Sequence, residues 1–290
     1  LNGRQRAPRR EARARSPKGH AAPRDAELEA GSRAHYDDPR YYASTYASRI
    51  DDVAYYADLA VRTGGRVLEY GVGNGRVAIP IARHGLEVVG VDHSAPMLAD
   101  LRARLRAEPP EVQDRVRVVR GDMRRVRLER RFDLVIAAFN TVLHLYARQD
   151  VERFLARVRA HLAPGGRFVM DLSVPSVADL ARPATRAYSA PRFRHPTAGV
   201  IVSNREYFDY DPVRQVLFVS MEFEPLGQPA DAWMTPLAHR QFFPREWEAL
   251  LHYNGFAVER VDGDFEGGPM TADSDTMVWH ARRPPRKRRT

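Results

Sequence analysis

From Arg66 onward, short apolar runs alternate with longer segments whose apolar residues recur every three or four positions. Runs of strand length are Arg66 to Tyr70, Glu87 to Val91, Val116 to Arg120, Phe132 to Ala138 and Arg167 to Leu172. Helical spacing separates them: Arg76 to His84, Pro96 to about Ala107 behind an N-capping Ser94, and Gln149 to Leu162. Phe132 to Ala138 is apolar almost throughout, as suits a strand covered on both faces. The alternation predicts an α/β fold, doubly wound about a mostly parallel sheet. A helix over Asp51 to Arg62, stopped by Gly64-Gly65, precedes the first strand, with Val53, Tyr56, Ala57 and Ala60 on one face. Tyr55 and Tyr56 read as packing residues there.

After Ser173 the rhythm changes. Pro175, Pro183, Pro191 and Pro196 mark an irregular stretch. Val200 to Tyr210, Gln215 to Pro225 and Trp233 to Phe243 then read as three strands, with Asp211-Pro212 turning the chain between the first two. This is an antiparallel β insert over about 174–243, placed either above the carboxyl ends of the parallel strands or as the sheet through which a homodimer forms. A helix from Pro244 to Asn254 and a strand pair, Phe256 to Asp264 and Thr276 to Arg282, complete a seven-stranded main sheet.

Composition adds limits. The net charge of +9 is concentrated at the ends: residues 1–24 sum to +7 and residues 282–290 to +6, which leaves 25–281 at −4. A mildly acidic body argues against a dedicated nucleic-acid surface. Residues 1–32, rich in Arg, Ala and Pro, are expected to be a disordered tail, 33–283 the folded domain, and 284–290 a second basic tail. With no cysteine, disulfides and thiolate metal sites are excluded. No metal is expected, because no pair of His or acidic residues has ligand spacing. No run approaches the roughly 20 apolar residues of a membrane span. The N-terminus has no apolar signal core, so the cytoplasm is the expected location.

The most telling stretch is Glu69-Tyr70-Gly71-Val72-Gly73-Asn74-Gly75-Arg76, between a strand and a helix. Glycines there admit a ligand close to the backbone, and the helix start offers free N–H groups. The third glycine comes one residue earlier than in a dinucleotide fingerprint. A second strand ends at Asp92, where an acid can hold both ribose hydroxyls. A third leads into Gly121-Asp122-Met123. Together these motifs resemble the class I S-adenosylmethionine (SAM) methyltransferases, over about residues 36–283. His161 to Arg167 also matches a turn common in that family.

The resemblance implies a SAM site, with S-adenosylhomocysteine (SAH) as the product form. It assigns Glu69, Gly71, Gly73, Gly75, Asp92, His93 and Met97 to cofactor binding, with Asp92 at the ribose, and Asp122 and Met123 to the adenine. Asp122 would accept from the adenine amino group or cap a turn. Phe139 and Asn140, after the fourth strand, face the transferring methyl. Tyr36 and Tyr46, in an N-terminal segment that closes over SAM in relatives, either contact cofactor or substrate or only pack.

Methyl transfer requires the nucleophile to be in line and unprotonated. His144, just past the fourth strand, is the candidate base, or else packs beneath the substrate or hydrogen-bonds a neighbouring loop. His239 and Arg240, on the last insert strand, are candidate acceptor contacts. Asp171 would orient a substrate amine or cap a turn. The expected acceptor is a small molecule methylated at nitrogen or oxygen. The Asn-Pro-Pro-Tyr motif of enzymes acting on planar amino groups is absent, and Phe139-Asn140-Thr141-Val142 stands in its place. Other readings are an RNA or protein methyltransferase tethered by the basic tails, a SAM-binding protein without turnover, and a nucleotide-dependent oxidoreductase. The early third glycine and Asp122 oppose the last.

Overall fold

The computed structural model describes residues 24–284. The chain opens with α1 (Arg24–Gly31), a 3₁₀ turn (Ala34–Tyr36), α2 (Pro39–Thr45) and α3 (Asp51–Thr63). The α/β core then runs β1 (Val67–Tyr70), α4 (Ala78–Arg83), β2 (Val88–Asp92), α5 (Ala95–Leu105), α6 (Pro110–Gln113), β3 (Val116–Arg120), β4 (Phe132–Ala137), a 3₁₀ turn (Thr141–His144), α7 (Arg148–His161) and β5 (Leu162–Ser173). The insert holds α8 (Val177–Leu180), β6 (Tyr188–Arg194), β7 (Ile201–Asp211), β8 (Val216–Pro225) and β9 (Trp233–Arg240). The chain closes with α9 (Pro244–Tyr253), β10 (Ala257–Asp262) and β11 (Thr276–Arg282).

The main sheet has the order β10-β11-β5-β4-β1-β2-β3, and only β11 runs against the others. Alternation along β1 explains the double winding. Leu68 and Tyr70 enter one core with Phe154 of α7 and Trp247 of α9, while Val67 enters the other with Tyr56 of α3 and Ile81 of α4. Each such large side chain, fully buried, stabilises the fold by about 1.5–3 kcal/mol. Strand order reverses between β1 and β4, which opens a crevice at the carboxyl ends of those strands.

Caps set where the helices begin. Ser94 Oγ accepts from Met97 N at 3.3 Å to start α5, and Asp38 Oδ1 accepts from Arg40 N and Tyr41 N to start α2. Both helices carry proline in their first turn, where a missing N–H costs nothing.

Two expectations need correction. The insert sheet has four strands, β6-β7-β8-β9, not three. The additional β6 lies in the proline-marked stretch. It is an edge strand, and Pro191 sits where its register with β7 shifts between Ala190 and Phe193, a place that needs no proline N–H. At the N-terminus, residues 24–31 form α1 rather than part of a tail. Gly31 fits so closely over β9 that a Cβ would lie 2.6 Å from Ala238 Cβ. Its support comes from a strand more than 200 residues away, which local composition does not reveal. The tails expected at 1–23 and 285–290 lie outside the described residues.

Candidate active site

The crevice is a cavity whose walls come from the ends of β1 to β4, from the Ser32 to Tyr42 region, and from the turn after β4. At the end of β1, the buried Glu69 turns toward it. Burial pushes its carboxyl well above the usual range, and Oε2 has no partner. Asn74 Oδ1 is likewise buried and unpartnered. Two buried acceptors facing one cavity call for a ligand that brings donors.

Glycine is required between them. Gly71 has φ +70°, and a Cβ there would lie 2.3 Å from Thr141 Oγ1. Gly73 lines the cavity as well, but Gly75 does not. The space beside Gly75 is taken by Leu101 and Ile79, so it packs the α4 entry onto α5.

Asp92 ends β2 with both oxygens fixed. Oδ2 accepts from Gly73 N at 2.8 Å and Oδ1 from Ser94 N at 2.8 Å. Each oxygen keeps a lone pair, which suits a vicinal diol. His93 and Met97 line the cavity beside it, and Asp122 and Met123 close it beyond β3. Asp122 also accepts from Arg124 N, so the turn-capping and cavity-lining readings both describe it.

The opposite wall is aromatic. Tyr36 Oη lies 2.8 Å from His144 Nε2, His144 Nδ1 lies 3.4 Å from Tyr146 Oη, and Tyr146 Oη donates to Ala238 O at 2.9 Å. Donor accounting fixes the order. Tyr146 spends its proton on a carbonyl, so it accepts from His144 Nδ1–H, and Nε2 is left to accept from Tyr36. Burial first, then neighbouring His239, His93 and His35, hold His144 well below its usual pKa, so the ring is neutral. Burial raises the Tyr36 hydroxyl well above its ordinary value.

Phe139 is set by buried polar contacts. Its φ is +53°, and its N–H donates to Asp171 Oδ1 at 2.8 Å. Tyr56 Oη donates to the same oxygen at 2.7 Å. Burial raises the Asp171 carboxyl to about 6. Asp171 thus orients the backbone of the turn, not a ligand. The Phe139 ring meets Tyr46 edge-on at 4.8 Å and lies under the guanidinium groups of Arg49 and Arg76, at 4.8 and 4.7 Å.

Several expected site residues sit elsewhere. Tyr46 does not line the cavity; its hydroxyl meets His35 Nε2 at 3.0 Å, and it supports Phe139 from behind. Asn140 adopts a left-handed conformation and clamps β4 to β5, with Nδ2 donating to Ser173 Oγ at 2.9 Å and Oδ1 accepting from Ser173 N at 2.7 Å. Arg240 points away, toward Glu246 and Gln215 Oε1, both at 2.6 Å. Adjacent residues of a strand face opposite ways, so His239 is turned inward while Arg240 is turned out. The His239 ring lies 5.0 Å from that of His144, and its enclosed Nε2 has no partner. It stands behind the cavity wall, not in it.

Sequence reasoning missed Tyr42, Arg76, Thr141 and Tyr146, which all line the cavity. Arg76 carried a usable signal, an arginine directly after the third glycine. It pairs through two bonds with buried Asp52, at 2.5 and 2.7 Å. Among the described residues, no group of three or more His, Asp or Glu side chains is placed to hold a metal ion, and no helix is long and apolar enough to cross a membrane.

Comparison with known proteins agrees with this geometry. A methyltransferase-domain family model matches residues 67–166. The 27-O-demethylrifamycin SV methyltransferase of Amycolatopsis mediterranei (strain S699) is 36% identical over 232 residues, covering 78% of this chain and 80% of that protein. The cypemycin N-terminal methyltransferase of a Streptomyces species is 26% identical over 74% of this chain and 82% of its own length. Among solved structures, the CcbJ methyltransferase from Streptomyces caelestis superposes with a TM-score of 0.69 at 29% identity, over 81% of this chain and 90% of that one. The glycopeptide N-methyltransferase MtfA complexed with SAM gives 0.57 at 25% identity, over 80% and 87%. With a relative this similar along most of its length, and with the glycine turn, Asp92 and Asp122 gathered around one cavity, the chain belongs to the class I SAM-dependent methyltransferases.

Proposed function

We propose that this enzyme methylates a nitrogen or oxygen of a small-molecule acceptor, and that His144, working through Tyr36, takes up the acceptor's proton. The carrying observation is the fixed donor order around His144, which leaves a neutral Nε2 accepting from a hydroxyl that faces the cavity. A carboxylate at this place would stabilise a cationic amine and hold it unreactive. A neutral histidine and tyrosines instead favour the unprotonated nucleophile.

The residues present fit SAM. The unpartnered Glu69 Oε2 and Asn74 Oδ1 would meet the donors of its amino-acid end, and Asp92 its ribose hydroxyls. Asp122 and Met123 would take the adenine. When bound, SAM supplies a methyl on a positively charged sulfur, an electrophile that needs no metal. Phe139, fixed by Asp171, and the Tyr36–His144–Tyr146 wall exclude water and confine the acceptor. His239, packed on His144 with its Nε2 unpartnered, supports that wall from behind. Relatives support the class of acceptor by their names: one acts on a demethylrifamycin oxygen, another on the N-terminus of cypemycin, and a third on a glycopeptide nitrogen.

The test is SAH release from SAM across a panel of amino sugars, short peptides with free N-termini, and polyketide alcohols and phenols. Turnover on one class, reduced in His144→Ala, supports the proposal. SAM binding with no turnover on any panel member supports a binding protein instead. Turnover only on RNA or a folded protein supports the tethered reading.

A further inference from the structure

A second concave site opens between the start of α2 and the insert. Its walls come from His35, Asp38, Tyr41, His195, Trp233 and Thr235. It shares no lining residue with the cofactor cavity. One layer of rings parts the two: Tyr36 and Tyr42, which line the cofactor cavity, meet His35 edge-on at 5.3 and 5.9 Å.

Polar groups here have bonding capacity left over. His35 is 2% exposed, and its Nδ1 has no partner. Its Nε2 meets Tyr46 Oη at 3.0 Å, a hydroxyl that can give or take the proton, so Nδ1 is unfilled whether it donates or accepts. Asp38 uses Oδ1 for its bonds to Arg40 N, Tyr41 N and Thr197 Oγ1, at 3.1, 3.0 and 2.7 Å. Its Oδ2 takes no part in them. His195 Nδ1 accepts from Ala198 N at 3.2 Å, which leaves the ring's proton on Nε2 as a donor. Burial lowers the pKa of His195, so the ring is neutral. Tyr41 stacks on His195 at 5.1 Å, and Trp233 meets it edge-on at 5.2 Å.

This donor set selects a ligand chemistry. A hydroxyl group donates and accepts at once, so a ring bearing several suits a cavity that offers a carboxylate, an imidazole N–H and the Thr235 hydroxyl. An ammonium only donates, and would set its hydrogens against the His195 N–H. A carboxylate or phosphate would meet the charge of Asp38. The C–H face of a sugar ring covers an indole with apolar surface. We propose that this cavity binds an uncharged polyhydroxyl ring such as a pyranose, with Trp233 as its platform. A hydroxyl on His35 Nδ1 also settles which way the bond to Tyr46 runs, and Tyr46 supports Phe139. Two sources present that chemistry: a free saccharide, and a sugar carried by the acceptor away from the methylated atom. The second source rests on the proposed acceptor class.

The experiment is saturation-transfer NMR of the full chain, titrated with the methyl pyranosides of glucose, galactose and mannose. Tetramethylammonium and acetate serve as charged controls. At least one glycoside should bind with a Kd below about 10 mM, and Trp233→Ala should weaken it by about tenfold or more. Asp38→Asn keeps an oxygen to cap α2 but turns the free acceptor into a donor, and should weaken binding by about threefold or more. Binding of no glycoside, binding of a charged control alone, or glycoside binding unchanged in Trp233→Ala overturns the proposal. Should Trp233→Ala fail to fold, unchanged affinity in Asp38→Asn overturns it instead. Inhibition of methyl transfer by the bound glycoside assigns the site to the acceptor's own sugar, and unaffected turnover assigns it to a free saccharide. Glycoside binding without SAH binding leaves this site standing and overturns the cofactor reading.

Discussion

The wall of the cavity nearest β1 to β3 and the wall nearest the insert are built by different means. The first is a product of local backbone. Its features sit at the ends of neighbouring strands, and its key positions are glycines or carboxylates, two of them anchored by main-chain N–H groups. The second is assembled from side chains far apart in sequence. Tyr36 meets His144 across 108 positions, and Tyr146 meets Ala238 across 92. Local construction gives a rigid site for a constant cofactor. Long-range construction leaves the acceptor side free to vary through the N-terminal helices and the insert.

That contrast can be broken first at the glycines. Gly71→Ala places a methyl 2.3 Å from Thr141 Oγ1 at φ +70°. Calorimetry should show SAH affinity falling by about 100-fold or more. Gly75→Ala, at φ +82° and facing Leu101, should instead lower the melting temperature while SAH affinity stays within about fivefold. Equal effects of the two on binding would show that the glycines act as one folding unit.

On the other wall, His144→Ala and Tyr36→Phe should each lower kcat by about 10²–10³-fold, since both interrupt one proton path, and each should leave SAH affinity within about threefold. A large loss of SAH binding in either variant would join the two walls into one functional unit.

The histidines of the acceptor side make a prediction about pH. Burial lowers His35 and His239 to about 4, and His144 falls in the same direction. A lowered folded pKa means that the unfolded chain takes protons first. The stabilisation is complete above pH 6.5 and is lost as pH falls toward 4. For His35 alone the loss at pH 5 is about 2 kcal/mol. Asp171, raised to about 6 by burial, works the other way, since its contribution is present below 3.8 and is lost as pH rises through about 6. Glu69, also raised by burial, works in the same direction as Asp171, while His161 is lowered to about 4 like His35 and His239. Four histidines outweigh two carboxyls, so thermal denaturation should show the melting temperature falling from pH 7 to pH 5. A flat or rising profile would contradict the buried neutral cluster.

The smallest effect concerns Arg240. Because it is turned toward Glu246 and Gln215, Arg240→Ala should leave the acceptor KM within about twofold and cost about 1 kcal/mol of stability in denaturant titration. A large rise in KM would return Arg240 to the acceptor site.

The same division governs what the sequence made legible. The glycine turn, Asp92, Asp122 and the strand alternation could be read because each stands in or at the end of a strand that the local pattern marks. Tyr42 and Tyr146 could not be placed, since their roles depend on distant partners, as Tyr146 depends on Ala238 across 92 positions. Arg240 was misplaced because the strand pattern gives alternation but not which face turns inward. Asn140 has the composition of a ligand contact and the geometry of a clamp, a distinction that only the bond to Ser173 reveals. The edge strand β6 was hidden by a proline it tolerates, and α1 by support arriving from β9.

The most direct test is calorimetric titration of the full chain with SAH, set beside Asp92→Ala and His144→Ala. The account expects wild-type binding, a loss of about 30-fold or more in Asp92→Ala, and a change within about threefold in His144→Ala. Absence of wild-type binding, or a larger loss in His144→Ala than in Asp92→Ala, would contradict a cofactor wall built separately from the acceptor wall.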